Sequence, residues 1–312
     1  MQRLIAGGTG LVGQYLVKHW LNQKINITVL GRDKHKISHC FGTSVNIMDW
    51  DDFERLPNHD LKSFDSIVNL CGTNIGEKRW SSKRKQLIFD SRIKTTQTIV
   101  DKMIPLADQA PKLFNTSAIG VYGLQPTNHQ HLPAAFDEDS QIDFHARPDF
   151  LATVARAWEL ATAPAKAHGI HVNNMRFGVV LTPQGGALEK LALPIKLGFG
   201  GKIGSGDQAF SWIHIKDLLN IFDFLHQHTE LHGVINCVAP ECVTQLHLVN
   251  TIAKKLHRPA LMPLPSFMVK LMFGEMGDEL LLRGQHVYPK RLLENNFHFE
   301  FATIEKAVGD LV

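Results

Sequence analysis

The chain has 312 residues, of which 44% are hydrophobic and 20% charged, as in an ordinary soluble globular protein. Its length exceeds the usual size of a single core, so we expect one large α/β domain with a smaller second lobe. The formal net charge of +3 is too slight to indicate a nucleic-acid partner. No apolar stretch approaches the roughly twenty residues that a membrane-spanning helix requires. Nucleic acid and membrane are therefore not expected as partners.

Cysteine and histidine usage points to a cytoplasmic protein without a bound metal. The four cysteines show no C-x-x-C spacing, which is typical of reduced side chains in a cytosolic protein. The 17 histidines form no H-E-x-x-H or Cys/His ligand pattern, so no metal site is predicted. Because the predicted fold begins almost at Met1, no room remains for a signal peptide.

The first thirteen residues give the strongest signal. An apolar run at residues 2–6 leads into a glycine-rich stretch at residues 7–13, and apolar positions at helical spacing follow. This is the strand, turn and helix context that G-x-G-x-x-G requires. Glycines allow the turn and let a pyrophosphate approach the amides at the helix start. The stretch predicts a dinucleotide site, with a turn that binds nothing as the alternative; the predicted cofactor-binding residues here are Gly7, Gly10, Leu11, Val12 and Gly13.

Arg32 indicates which dinucleotide is bound. A second predicted strand, at residues 25–30, ends about twenty residues beyond the glycine loop. In a dinucleotide-binding fold, the residue at this position contacts the cofactor's ribose. An arginine suits the 2′-phosphate of NADP, whereas a carboxylate suits the free 2′-hydroxyl of NAD. Residues 34–36 add positive charge, so NADP(H) is favoured over NAD(H). Asp33 competes for a ribose hydroxyl, and a surface turn of mixed charge is the remaining alternative.

Strands and helices alternate along the rest of the amino-terminal half. Further strands are predicted at residues 44–47, 66–72, 112–117, 172–176 and 234–237, and helices at about residues 81–103 and 149–168. This alternation predicts an α/β fold with a Rossmann-type doubly wound parallel sheet. Cys71 and Gly72, which end one of these strands, are predicted to contact the cofactor, and residues 118–140 form a predicted loop.

The carboxy-terminal part changes character. Glycines cluster between residues 185 and 206, which marks loops around a cleft, and mainly helical segments follow residue 246. We expect residues 1–180, with 215–240 returning to them, to form the dinucleotide-binding domain. Residues 181–214 and 241–312 form the predicted smaller, mainly helical lobe.

Several of these stretches resemble the extended short-chain dehydrogenase/reductase superfamily, in its epimerase-like branch. They are the glycine loop, Ser117 after a strand, residues 121–123 and residues 204–217. More narrowly, the chain is similar to atypical epimerase family proteins that carry a C-terminal domain of unknown function, some of them labelled cell-division inhibitors. The stretches that carry this narrower resemblance are residues 79–80, 91–92, 176–181, 211–214, 274–276 and 278–282.

The resemblance implies a proton-exchanging Tyr whose pKa is lowered by a Lys four residues later, because a free phenol is a poor base at neutral pH. None of the three tyrosines here is followed by Lys at that spacing. The corresponding helix has Phe150 and Val154, or one position later Leu151 and Ala155. The ordinary dehydrogenase mechanism therefore cannot be carried over intact.

Ser117 and Tyr122 remain as predicted catalytic residues. By the resemblance, Ser117 contacts the cofactor and hydrogen-bonds the substrate oxygen, Tyr122 or a water relays the proton, and NADPH supplies or accepts hydride. Alternatively, Ser117 caps backbone and Tyr122 packs beside the cofactor. Arg156 is either a substitute cation or an exposed helical arginine.

The segment over residues 204–214 resembles the substrate loop of sugar-nucleotide epimerases. Those enzymes usually place an arginine there for the substrate diphosphate, whereas Phe210 holds that place here. We expect a small-molecule substrate that is less charged and not a nucleotide sugar. Trp212 and His214 are the predicted pocket residues, with a core role for Trp212 as the alternative, and Asp217 is predicted to cap the next helix.

The sequence thus predicts an NADP-dependent oxidoreductase or epimerase-like enzyme that acts on an unidentified small molecule. A non-catalytic NADP(H)-binding redox sensor or regulatory protein is the alternative, favoured by the missing Tyr/Lys pair. A third hypothesis is a structural or division-related protein that keeps only the fold. By the resemblance, a homodimer is the expected assembly, because dimers are usual in the superfamily.

Overall fold

A computed structural model describes residues 1–127 and 131–312 of the chain. In these ranges the strands are β1 (Gln2–Ala6), β2 (Asn26–Leu30), β3 (Asn46–Met48), β4 (Ser66–Asn69), β5 (Lys112–Ala118), β6 (Val172–Phe177), β7 (Val179–Leu181), β8 (Ala209–Phe210), β9 (Trp212–His214), β10 (Gly233–Cys237) and β11 (Val243–Thr244). The helices are α1 (Leu11–Asn22), α2 (Lys34–Phe41), α3 (Trp50–Arg55), α4 (Ser82–Met103), α5 (Phe150–Leu160), α6 (Ala163–Ala167), α7 (Gly186–Lys196), α8 (Ile215–Gln227), α9 (Gln245–Leu256), α10 (Ser266–Phe273), α11 (Glu275–Leu281), α12 (Lys290–Glu294) and α13 (Ile304–Leu311).

Seven parallel strands form the central sheet, in the order β10-β6-β5-β4-β1-β2-β3. Strand β1 pairs with β2 on one side and with β4 on the other. The strand order therefore reverses between β1 and β4, and ligands of such sheets bind in the crevice at that switch point. The predicted Rossmann-type doubly wound sheet is confirmed.

Helices cover both faces of the sheet, which explains why residues 4–6 of β1 are consecutive apolar residues rather than alternating with polar ones. On one face Trp20 of α1 packs edge-on against Phe222 of α8, with ring centroids 6.0 Å apart. On the other face Ile99 and Met103 of α4 lie in one apolar cluster with Leu4 of β1. Apolar side chains thus pack against both faces of the sheet.

The observed elements depart from the predicted ones at a few boundaries. The helix predicted over residues 149–168 is two helices, because Pro164 lies in the first turn of α6 and cannot supply the amide hydrogen that a continuous helix needs. The strand predicted over residues 66–72 ends at Asn69. Within the predicted loop over residues 118–140, residues 119–122 form a 3-10 turn, while Asn128, His129 and Gln130 lie outside the described residues.

The carboxy-terminal segment adds mainly helices and a second apolar cluster. Leu188 of α7, Ile252 of α9 and Val308 of α13 pack together there. The boundary between the two predicted lobes stays a prediction. Within residues 1–127 and 131–312, no helix combines the length and apolar composition that crossing a bilayer requires.

The turn that joins β1 to α1 leaves no room for side chains. Gly7 has a φ of +81°, a backbone conformation that favours glycine. A Cβ on Gly13 would lie 2.7 Å from both the Gly7 carbonyl oxygen and the Gly8 Cα. The first turn of α1 can therefore lie directly on the end of β1 only because these positions are glycine.

We expect Gly13→Ala to lower the free energy of unfolding by about 1–3 kcal/mol, because the added methyl group clashes with backbone that cannot move aside. Gly309→Ala is the matched control, since a Cβ at that helical position meets nothing within 4 Å and should stabilise the chain slightly. Urea unfolding followed by circular dichroism measures both. Equal effects of the two substitutions would contradict the close contact.

Candidate functional site

The first turn of α1 presents free amides to the crevice. No side chain caps this helix, whereas helices α2, α3, α4 and α5 each begin with a side-chain cap. The amides of Leu11, Val12 and Gly13 have no intrahelical acceptor. A Cβ on Gly10 would meet only the Gly7 carbonyl oxygen, at 3.3 Å, so the approach to these amides is open. The turn can hold an anionic group such as a pyrophosphate.

The residues after β4 border the same turn. A Cβ on Gly7 would lie 3.0 Å from the Leu70 carbonyl oxygen and 3.1 Å from the Cys71 amide nitrogen, and Gly72 is exposed. The structure therefore places the two predicted residues, Cys71 and Gly72, beside the glycine loop. Burial raises the pKa of the Cys71 thiol to about 12, although the charge of Arg32 opposes this. The thiol is accordingly neutral and unreactive at physiological pH.

Arg32 is an exposed cation at the end of β2. Asp33, its competitor, caps α2 by accepting a hydrogen bond from the Lys36 amide at 3.0 Å. The Lys34 ammonium is paired with Asp49 at 2.9 Å and with Asp52. Arg32 is exposed and makes no ion pair in the described part of the chain. Its guanidinium remains available for a phosphate on the ribose.

A buried ion pair lies beneath the other end of the crevice. Arg176 of β6 and Glu159 of α5 form two hydrogen bonds, from Nε to Oε1 at 2.8 Å and from Nη2 to Oε2 at 2.9 Å. Burial alone would lower the pKa of Arg176, but the hydrogen bonds and charge of Glu159 outweigh it and the pKa is raised. The two hydrogen bonds hold β6 to α5.

The two predicted catalytic hydroxyls both hydrogen-bond to this ion pair. The Ser117 hydroxyl is buried and donates to Glu159 Oε1 at 2.7 Å. The Tyr122 hydroxyl accepts from Arg176 Nη1 at 2.9 Å and lies 2.8 Å from the acceptors Asn236 Oδ1 and the Asp137 carbonyl oxygen.

This cluster leaves neither hydroxyl free. Burial raises the pKa of Tyr122 to about 12, with Arg176 opposing the shift, so the phenol does not readily ionise. Ser117 is bonded to a side chain rather than capping backbone. The catalytic assignment of both residues stays a prediction, and this geometry favours a positioning role for them.

Apolar packing surrounds the positions that the resemblance matches to a Tyr/Lys pair. Phe150 contacts Trp80 edge-on, with ring centroids 4.8 Å apart, and Val154 belongs to the same apolar cluster. A Cβ on Gly120 would lie 3.3 Å from the Leu151 Cβ. Neither pair of positions can exchange a proton.

The start of α5 is closed by two carboxylates. Glu279 of α11 accepts from the amides of Phe150 and Leu151, at 3.0 and 3.1 Å. Asp149 accepts from the Ala152 amide at 2.7 Å. In contrast to α1, this helix offers no free amide in its first turn to a ligand.

Two alternatives were considered for Arg156, a substitute cation and an exposed helical arginine, and the position of its side chain argues against both. It is neither an exposed helical arginine nor a cation at the crevice, because it is 6% exposed and bonded to main chain. Its Nε donates to the Val121 carbonyl oxygen at 2.9 Å, and its Nη1 donates to that of Ala146 at 2.6 Å. The side chain fastens the loop between β5 and α5.

The predicted pocket residues lie in the core. Trp212 and His214 are both 0% exposed. His214 stacks on Phe301 at 3.7 Å, and its Nδ1 accepts from the Lys216 amide at 3.1 Å. Burial lowers the pKa of His214 to about 4, so the ring is neutral. These surroundings argue against the pocket role and favour the core role considered for Trp212.

Asp217 does not cap its own helix as predicted, since His214 is the cap residue of α8. Its buried carboxylate instead accepts from the amides of Glu300 and Phe301, at 2.9 and 3.0 Å. It ties the last part of the chain to α8.

Three polar residues near the crevice were not identified from the sequence. They are Glu159, Glu279 and Arg92; Arg92 and Glu279 lie in stretches that carried the family resemblance, whereas Glu159 does not. The available signal for Glu159 was a carboxylate on the buried face of α5, four residues after Ala155. A helical surface carboxylate has the same local spacing, so tertiary contacts were needed to distinguish the two.

The strand order and the glycine loop define an extended short-chain dehydrogenase/reductase fold of the epimerase type. The chain belongs to the NAD dependent epimerase/dehydratase family, whose model matches residues 3–237. A domain of unknown function, DUF1731, matches residues 264–311. The predicted resemblance is confirmed in both parts.

Relatives match along the whole chain. The epimerase family protein SH2119 of Staphylococcus haemolyticus is 35% identical over 100% of this chain and 99% of its own length. The epimerase family protein SDR39U1 of Homo sapiens is 35% identical over 100% of both chains. The crystal structure of human SDR39U1 (isoform2) with NADPH superposes with a TM-score of 0.84, at 32% identity over 100% of this chain and 99% of that one. UDP-glucuronic acid 4-epimerase from Bacillus cereus with NAD, at 15% identity and a TM-score of 0.75 over 100% of this chain and 98% of that one, shares the fold.

Glu159→Gln should lower the free energy of unfolding by about 3–5 kcal/mol, because it leaves Arg176 buried without its counter-charge. Asp90→Asn, which removes a carboxylate from the exposed pair with Lys94, is the control and should leave the unfolding midpoint unchanged. Urea titration followed by tryptophan fluorescence measures both. A midpoint for Glu159→Gln equal to that of the control would show that the ion pair does not hold the cluster.

Proposed function

We propose that the chain binds NADP(H) in the crevice between β1 and β4, and that it acts as an NADP-dependent oxidoreductase or epimerase-like enzyme on a small molecule. One observation carries the proposal. The α1 amides have no side-chain cap and Arg32 makes no ion pair in the described part of the chain; these are the two kinds of group that suit the pyrophosphate and the 2′-phosphate of NADP, which supports the proposal. The NADPH in the structure of the human relative supports this.

The residues present fit the cofactor. The amides of Leu11, Val12 and Gly13 would hold its pyrophosphate, and Arg32 would hold the 2′-phosphate through paired N–H donors. Cys71 and Gly72 would line the crevice opposite the glycine loop. The bound cofactor would supply or accept a hydride.

The buried cluster would shape the reacting end of this crevice. Glu159 and Arg176 fix the ends of β5 and β6 against α5, and Ser117 and Tyr122 complete their hydrogen bonds. Under the catalytic hypothesis, the Ser117 hydroxyl must turn from Glu159 to a substrate oxygen. The proton would then come from water or from Tyr122.

The packing of α5 favours a second candidate, a non-catalytic NADP(H)-binding sensor. Phe150 and Val154 are apolar where a proton-exchanging pair would stand, and both predicted catalytic hydroxyls have internal partners. Such a protein would bind the cofactor without consuming it and pass its redox state to a partner.

Absorbance at 340 nm separates the two candidates. The full chain with NADPH is mixed with a panel of aldehydes, ketones and 2-oxo acids, and the full chain with NADP⁺ is mixed with UDP-glucose, whose hydroxyl can only be oxidised. Oxidation of NADPH by one class supports the enzyme, and tight binding without turnover over the whole panel supports the sensor. The position of Phe210 predicts that UDP-glucose is not a substrate. Absence of binding of both NADPH and NADH would overturn the proposal.

Ser117→Ala tests the catalytic hypothesis once a turnover is found. Loss of turnover, with NADPH affinity and the unfolding midpoint both unchanged, would support contact between the hydroxyl and the substrate. Unchanged turnover would remove Ser117 from the mechanism.

Arg32→Gln should weaken NADPH binding by about tenfold to a hundredfold and leave NADH binding within about twofold, because only NADPH carries the phosphate that the guanidinium grips. Fluorescence titration of each coenzyme measures this. Lys34→Gln is the control, since that ammonium is already paired with Asp49 and Asp52. Equal loss of both coenzymes in Arg32→Gln would contradict the selectivity.

A further inference from the structure

We propose that Arg92 binds an anionic group of the substrate, a carboxylate or a phosphate, beside Gly72. This inference rests on the proposed function, because it places the substrate next to a cofactor in the same crevice. It adds a charge requirement to the proposed small-molecule substrate.

The guanidinium of Arg92 is partly buried against Gly72, one of the residues that would line the crevice. A Cβ on Gly72 would be 2.9 Å from its Cζ and 3.0 Å from its Nη2, so the side chain packs directly on the glycine. Its Nη1 donates to the carbonyl oxygens of Thr73 and Ile88, at 3.1 and 3.0 Å. These bonds fix the guanidinium plane before any ligand arrives.

The positive charge of Arg92 is not balanced by a carboxylate in the described part of the chain. In the described ranges no carboxylate lies within ion-pair distance of Arg92, and its Nε and Nη2 make no hydrogen bond. The ring of Trp158 lies beneath it, with Cζ 5.1 Å from the ring centroid. Burial lowers the pKa of Arg92 to about 10, so the group is still a cation at neutral pH. A desolvated cation with free donors favours an oxyanion that it can hold bidentately.

The position favours the substrate over the cofactor as the source of that anion. The glycine loop contacts Leu70 and Cys71, whereas Arg92 contacts Gly72 and Thr73, farther along the chain and against Trp158 of α5. The cofactor phosphates already have the α1 amides and Arg32. Arg92 therefore lies beyond them, on the side of the crevice that faces α5.

The anion also refines the expected substrate. Phe210 stands where the resemblance places an arginine for a substrate diphosphate, which argues against a nucleotide sugar but not against every anion. Arg92 offers one bidentate grip, which suits a small molecule with a single carboxylate or phosphate. A carbonyl acid or hydroxy acid meets this requirement.

Calorimetry with two small probes tests the inference. Oxalate and inorganic phosphate are titrated into the full chain, both without coenzyme and loaded with NADPH. Arg92→Gln removes the charge, Arg92→Lys keeps the charge but loses the planar donors, and Lys94→Gln removes an exposed charge from the same helix. NADPH affinity is measured for every variant by fluorescence.

We expect the wild-type chain to bind at least one probe. Arg92→Gln should weaken that binding by about tenfold to a hundredfold, Arg92→Lys by less, and Lys94→Gln not at all. NADPH affinity should stay within about threefold in all variants. Probe binding that is absent, or that Arg92→Gln leaves unchanged, would overturn the inference.

Two further outcomes are informative. If Arg92→Gln weakens NADPH as much as it weakens the probes, the cation serves the cofactor and the substrate assignment fails. If the wild-type chain binds a probe through Arg92 but binds neither nicotinamide coenzyme, the anion site stands and the proposed function fails.

Discussion

The buried ion pair of Glu159 and Arg176 is the constraint on which the crevice depends. Removing two charges from water is costly, and only near-ideal geometry and additional hydrogen bonds offset that cost. Here Ser117 and Tyr122 provide those bonds, and Tyr122 extends them to Asn236. The network spans the neighbouring strands β5, β6 and β10 and the helix α5. None of these strands can move relative to its neighbours without breaking several charged hydrogen bonds.

The two ends of the crevice differ in whether main chain or side chains form them. The α1 end uses main chain: glycines that allow a close approach and amides that no side chain caps. The α5 end uses side chains in a desolvated network, above which Arg92 stands without a counter-ion. The first arrangement suits a shared coenzyme, whereas the second can change with each substrate.

The sequence predicted the parts that depend on local physics. The glycine loop and Arg32 were identified because a strand, a turn and a helix follow one another within thirty-two residues of the chain. The roles of Trp212, His214 and Arg156 depend on which distant segment covers each side chain, and no local spacing contains that information. Glu159 shows the same limit, because its partner Arg176 stands on a strand beyond a loop and another helix.

Glu279 joins the two parts of the family architecture. It belongs to the segment that matches the domain of unknown function, yet its carboxylate closes the first turn of α5 in the other part. The carboxy-terminal segment is therefore not a detachable module. A chain shortened before residue 264 would leave the amides of Phe150 and Leu151 without the carboxylate that accepts from them, at a helix start packed beside the crevice.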